Sequence, residues 1–198
     1  MSKSYAKFYK CALQVNPYSY IKYRGLEHEM TEEQYNESIY QYCKTNNISI
    51  IGLADHGNVD NSSKLRQYLV SKGILVFPGF EISTSEKVHI VCLFSENTEE
   101  RELERYLGEL GLSNLEEGNS PSTLSFHEIT QKVLDRGGFW YAAHVTSDNG
   151  ILKGKHNNLW QSDKLIAAQI PSKKNEVDPK YTSCLLYTSD AADDTPCV

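Results

Sequence analysis

Ile48-Ser49-Ile50-Ile51-Gly52-Leu53-Ala54-Asp55-His56-Gly57 is the stretch on which the fold turns. The run Ile48 to Leu53 is apolar at Ile48, Ile50, Ile51 and Leu53, with no regular polar alternation. That density is expected of a strand buried on both faces, as in a parallel sheet. The run leads directly into Asp55 and His56, two side chains able to act as ligands or proton carriers. The C-terminal end of a parallel strand is where α/β enzymes place such groups. Taken alone, the pair reads equally well as a helix-capping Asp beside a solvated His.

Outward from this strand, the pattern alternates. Upstream, Phe8 to Val15 is a short strand-like run, and Thr31 to Asn46 is a helix. Thr31 and Gln34 form its capping box, and Tyr35, Ile39 and Tyr42 recur at helical spacing. Downstream, a helix over Asn61 to Ser71 stops near Gly73, and a strand over Ile74 to Phe77 ends at Pro78-Gly79. Lys87 to Phe94 is a further strand. A charged helix over Glu99 to Leu110 carries Leu103, Leu107 and Leu110 on one face. The polar stretch Gly111 to Thr123 reads as a surface loop, and a helix over Ser125 to Arg136 follows, with Ser125 and Glu128 as its capping box. Phe139 to Val145 and Leu165 to Ile170 read as strands. Repeated strand–helix units with buried parallel strands imply an α/β fold, and a barrel and a doubly wound sheet both fit.

The chain has 198 residues, 39% of them apolar and 11% aromatic, which suits one domain with a real core. A net charge of -6 gives no support for a basic surface, although a local cleft can still be basic. No apolar run approaches the about 20 residues of a membrane span, and no long apolar segment follows the N-terminus. Five cysteines without a Cys-x-x-Cys pair read as reduced thiols of a cytoplasmic protein.

Three further residues carry possible chemistry. Glu81, in Pro78-Gly79-Phe80-Glu81-Ile82, lies among apolar neighbours, where a carboxylate needs a cation or donors. His89 sits in the apolar run Val88-His89-Ile90-Val91, and His144 ends Ala142-Ala143-His144-Val145. Each histidine alone reads more simply as a hydrogen-bonded core residue. Together, Asp55, His56, Glu81, His89 and His144 all fall at or near strand ends of one parallel system. Mixed imidazole and carboxylate ligands suit Zn²⁺, Mn²⁺ or Fe²⁺, so the set favours a metal site or a former one. His28 and His127 read as surface residues, and His156 as part of a solvated basic loop.

The order of these motifs resembles the PHP (polymerase and histidinol phosphatase) domain. Ala54-Asp55-His56 is similar to that family's second motif, Gly79-Phe80-Glu81 to its Glu motif, and His89 and Ala143-His144 to the next two. The resemblance implies a distorted (βα)7 barrel, incomplete at its C-terminus, over residues 1–183. It implies a metal-dependent phosphoesterase with Glu81, His89 and His144 as metal ligands. His56 would be a further ligand or an aid at the phosphate, and Asp55 would orient ligands. The family's opening Asp-Leu-His-x-His-Thr stands here as Ala12-Leu13-Gln14-Val15-Asn16-Pro17, with an amide in place of each histidine. Amides are poor transition-metal ligands, so at most one ion is expected. The spacing and Asp178-Pro179-Lys180-Tyr181 look most like the N-terminal domain of TrlF-like AAA- or SMC-type ATPases. That branch implies an ATPase domain in the same chain and nucleic acid as a possible partner. Two alternatives are a PHP pseudoenzyme serving as a binding or regulatory module and, more weakly, a small-molecule phosphatase of the histidinol-phosphate type.

Cys184 to Asp194 matches, residue for residue, a transposase mosaic-end sequencing adapter translated in one frame. The expectation is that residues 184–198 are a non-native tail and that the native domain is truncated near Tyr181 to Ser183.

Overall fold

Five strands form one sheet in the order β1-β2-β3-β4-β5: β1 (Lys10–Val15), β2 (Ile48–His56), β3 (Leu75–Ser83), β4 (His89–Leu93) and β5 (Phe139–Ala142). The computed structural model describes residues 8–23, 30–59, 62–112, 120–153, 156–161, 165 and 167–170. Among the sequence expectations, His28, most of the loop after Gly111, Asp178 to Tyr181 and the tail from Cys184 lie outside the described residues.

The first three strands are parallel, joined by helical crossovers. Between β1 and β2 lie α1 (Tyr18–Tyr23) and α2 (Glu32–Asn46), and between β2 and β3 lies α3 (Ser62–Ser71). The Thr31–Gln34 capping box starts α2, and Asn47 ends it in the left-handed conformation at φ 56°. Beyond β4 come α4 (Glu100–Glu109) and α5 (Phe126–Asp135), the latter started by the Ser125–Glu128 box. A short α6 (Asn157–Trp160) follows β5. Neither α1 nor α6 is expected from the sequence pattern, because each is too short to show a period.

The single parallel system is corrected by the structure. β4 runs antiparallel to β3, and β5 antiparallel to β4, so the sheet is mixed. The physical reason is connection length. A parallel crossover needs a dozen or more residues. Thr84 to Val88 make a tight hairpin instead, closed by Thr84 N–H to Val88 O at 2.9 Å and Lys87 N–H to Thr84 O at 2.8 Å. His89 therefore lies at the start of its strand, beside the C-terminal end of β3, where it pairs with Ser83.

Two strands also run longer than their apolar cores. β2 continues through Asp55 and His56, and β3 continues through Pro78-Gly79 to Ser83. Pro78 lacks an N–H, but its carbonyl still accepts from Phe94 N–H at 2.9 Å. Of the expected strand over Leu165 to Ile170, the described residues show one parallel bridge, Ala142 to Ala168, beside β5.

The sheet curls into a half-barrel. In a flat sheet β1 and β5 would stand about 19 Å apart, at about 4.8 Å per strand step. Yet the Tyr141 hydroxyl on β5 donates to Leu13 O on β1 at 3.1 Å, directly across the inner face. That face carries Leu13, Ala54, Phe77, Val91, Leu93, Tyr141 and Ala143. The outer face is covered by helices. Tyr35, Ile39, Leu65 and Leu69 of α2 and α3 pack on Ile51, Leu53 and Val76. Leu103, Leu107, Phe126, Ile129 and Val133 of α4 and α5 pack on Phe80, Ile82, Ile90, Cys92 and Trp140. No helix among the described residues is long and apolar enough to cross a membrane.

Close strand approach depends on glycine at Gly79. A Cβ there would lie 2.0 Å from Cys92 O and 2.9 Å from a Leu93 methyl, whereas a Cβ at Gly108 in α4 meets nothing within 4 Å. Gly79→Ala is expected to destabilise the domain by about 1–3 kcal/mol through overpacking. Gly108→Ala is expected to stabilise it by about 0.5–1 kcal/mol through helix propensity. Urea unfolding of the two variants checks both signs.

Candidate metal centre

Three strand registers bring the candidate residues to one end of the inner face. His56 is the β2 partner of Glu81 in the parallel ladder. Ser83 pairs with His89 across the β3–β4 hairpin, which puts His89 on the Glu81 face of the sheet. His144 arrives differently. Strand alternation would send it to the face opposite Tyr141 and Ala143. Instead β5 ends at Ala142 and His144 takes a positive φ of 26°, sparsely populated for a residue with a side chain. Gln169 Oε1 accepts from the His144 backbone N–H at 3.0 Å and holds this turn. The ring then reaches back to Glu81.

Glu81 is the centre of the arrangement, with 1% of its surface exposed. Its Oε1 lies 2.6 Å from His89 Nδ1, 3.2 Å from His56 Nε2 and 3.5 Å from His144 Nε2. Its Oε2 accepts from the Gln14 side-chain amide. Burial pushes the Glu81 carboxyl up, but hydrogen bonds from His144 and His89 and the charges of His56 and His89 outweigh it. They hold the group well below the usual carboxylate range. The His89 and His144 rings meet edge to face at 5.1 Å, and Tyr20 of α1 stacks on His56 at 4.8 Å and 4°.

Asp55 lies outside this cluster. Its Oδ1 accepts from the His56 backbone N–H at 2.7 Å and stands 3.8 Å from His56 Nδ1. His127 is exposed on α5, and His156 caps the loop before α6, its N–H bonding to Ile151 O at 3.2 Å.

The donor set fits a divalent cation. One ligand atom each from His56, Glu81 and His89 lie within 4.8 Å of one another. Three ring nitrogens converge on Oε1, which has two lone pairs, so hydrogen bonding alone cannot satisfy all three well. A shared cation can, since imidazole nitrogen and carboxylate oxygen both suit divalent transition metals. His144 Nδ1 is buried with no hydrogen-bond partner among the described residues, so the ring is oriented from its Nε2 side, by Glu81.

The contacts of Gln14, Tyr20 and Gln169 with the site are not expected from sequence. Tyr20 lies in α1 and Gln169 in none of the five strands, and Gln14, near the end of β1, would face outward by strand alternation, so each reaches the site through chain geometry. The only signal was at Gln14, whose place in the first motif marks it as a missing ligand, not a partner of Glu81.

No family model matches the chain, and no curated protein matches it. Solved structures share its fold, among them two endonucleases. One is the lesion-specific endonuclease PfuEndoQ from Pyrococcus furiosus, with a TM-score of 0.55 and 11% identity over 82% of this chain and 42% of that one. The other is Endonuclease Q in complex with a 27-mer duplex substrate carrying an abasic lesion at the active site. It matches with a TM-score of 0.58 and 14% identity over 94% of this chain and 49% of that one. The chain thus spans about half the length of either protein. The likeness is one of fold and agrees with the PHP-like architecture that the motif order implies.

If a Zn²⁺ ion binds here, both Glu81→Gln and His89→Ala are expected to weaken it at least about 100-fold, since each would remove a candidate ligand rather than an outer-shell partner. His127→Ala, on the exposed face of α5, is expected to leave it unchanged. Isothermal titration calorimetry of the three variants checks this.

Proposed function

We propose that this chain is a PHP-type metal-dependent phosphoesterase domain whose substrate is a nucleic-acid phosphodiester. The observation that carries the reading is the convergence of His56, His89 and His144 on the buried Glu81 at one end of the curled sheet. A divalent ion held there would supply Lewis acidity toward a phosphate oxygen and toward a water nucleophile. Glu81 and His89 are its principal ligands in this reading, and His144 and His56 complete the shell or face the phosphate. Asp55 steadies the His56 backbone, and the Tyr20 ring limits rotation of the His56 imidazole. The nucleic-acid substrate is supported by the fold shared with Endonuclease Q, whose complex holds a lesion-bearing duplex at the active site. The finer assignment, a domain at the head of a TrlF-like ATPase, rests on motif spacing and on Asp178 to Tyr181.

A second reading is a binding module without turnover. It is favoured by Gln14 and Asn16, which stand where the PHP pattern has two histidines. The two readings separate in one assay. A labelled duplex with a single abasic site is incubated with the protein and Mn²⁺. Strand cleavage that is lost in His89→Ala is the expected outcome. Retained duplex binding without cleavage would instead establish the binding module. Failure both to bind Mn²⁺ and to bind the duplex would overturn both readings.

A further inference from the structure

The inner end of β1 is irregular. Ala12 pairs with Ile51 and Val15 with Leu53, so three steps on β1 oppose two on β2. This is the signature of a bulge, which inserts a residue and re-aims a side chain. Its effect is visible in the packing. Ala12 and Val15 both contact the outer-face core, although strict alternation would put them on opposite faces. Leu13 packs on the inner face. Gln14, which alternation would turn outward with Ala12, instead points inward and donates to Glu81 Oε2. The neighbouring Leu13 carbonyl is tied to Tyr141 across the sheet, which fixes the bulge in place.

The orientation of the amide follows from chemistry. A carboxamide oxygen facing a carboxylate would repel it, so the NH₂ group must face Glu81. That group has no lone pair available for a metal. Glu81 is 1% exposed, so the donor also satisfies an oxygen that water cannot reach. The two carboxylate oxygens are thereby divided: Oε1 faces the three imidazoles and Oε2 is closed by an amide.

We infer that Gln14 is a positioning residue that closes Glu81 Oε2 and makes the centre mononuclear by construction, its amide standing where a second cation would otherwise share the carboxylate. The inference rests on the metal-site reading above and makes Gln14 an active part of the site. A single ion then binds on the Oε1 side, and Glu81 serves it with one oxygen in a fixed orientation. Placing an imidazole at this bulged position would remove the donor and supply a ligand together.

The test counts ions. The full chain, Gln14→His and Gln14→Ala are dialysed against Zn²⁺ and then against metal-free buffer. Elemental analysis gives the stoichiometry, and calorimetry gives the affinity. The parent protein is expected to retain one ion, Gln14→His two. Gln14→Ala is expected to retain one ion held about tenfold more weakly, as for loss of a partner that orients a ligand. A purely structural glutamine would leave the affinity for the one ion unchanged in a folded Gln14→Ala. Circular dichroism confirms that each variant is folded. Two firmly held ions in the parent protein overturn the inference while leaving the metal-site reading intact. So does a folded Gln14→His that holds one ion, or Gln14→Ala with unchanged affinity. No ion in the parent protein overturns the inference and the metal-site reading together. One ion without hydrolysis supports the inference and counts only against catalysis.

Discussion

A buried carboxylate without compensation is costly, and Glu81 is buried almost completely on the inner face of the sheet. Everything near it answers that constraint. Three histidines from β2, β4 and the turn after β5 converge on one oxygen, and an amide from β1 covers the other. The strands that supply these groups span the whole sheet, from one edge to the other. The curl that brings β1 opposite β5 is therefore a condition of the site as well as of the core.

The curl depends on how little side chain fills its inner face near β2 and β3. Gly52 and Gly79 lie there, and a Cβ on either would collide with a neighbouring strand. The concave side of a bent sheet has little room, so these glycines leave space for Leu13, Phe77, Leu93 and Tyr141 across it, while the outer face is covered by large apolar residues from two helix pairs. The Tyr141–Leu13 hydrogen bond then ties the two edge strands across the interior. Burial pushes the Tyr141 hydroxyl far above the usual tyrosine range, which suits a neutral donor in a structural role.

The chemistry of the site depends on departures from regular strand geometry. A five-residue hairpin reverses β4 and delivers His89, a positive φ redirects His144, and a bulge turns Gln14 inward. The hairpin sets His89 opposite Ser83 on the Glu81 face, and the other two departures move His144 and Gln14 to a face that strand alternation alone would not give them. Such irregularities are common beside functional sites, where orientation matters more than ladder continuity.

Much of this was legible in the chain itself. The apolar density of Ile48 to Leu53 marked a buried parallel strand, the capping boxes at Thr31 and Ser125 located two helices, and Asp55, His56, Glu81, His89 and His144 stood out as chemistry-bearing residues at strand ends. These are local signals, since periodicity, caps and an ionisable group in an apolar run are all visible within a few residues. The antiparallel course of β4 was not read from the chain, because the strand expected over Ile74 to Phe77 left a longer connection to Lys87, and only the extension of β3 to Ser83 shortens it to a hairpin. What only the tertiary structure decided is the convergence itself. The register of β2 on β3, the backbone turn at His144 and the bulge at Leu13 and Gln14 depend on packing between strands far apart in sequence. A residue type states what bonds a side chain can make. Which atoms it meets is set by the long-range geometry of the sheet, and that geometry turned Gln14 from a missing ligand into the partner of Glu81.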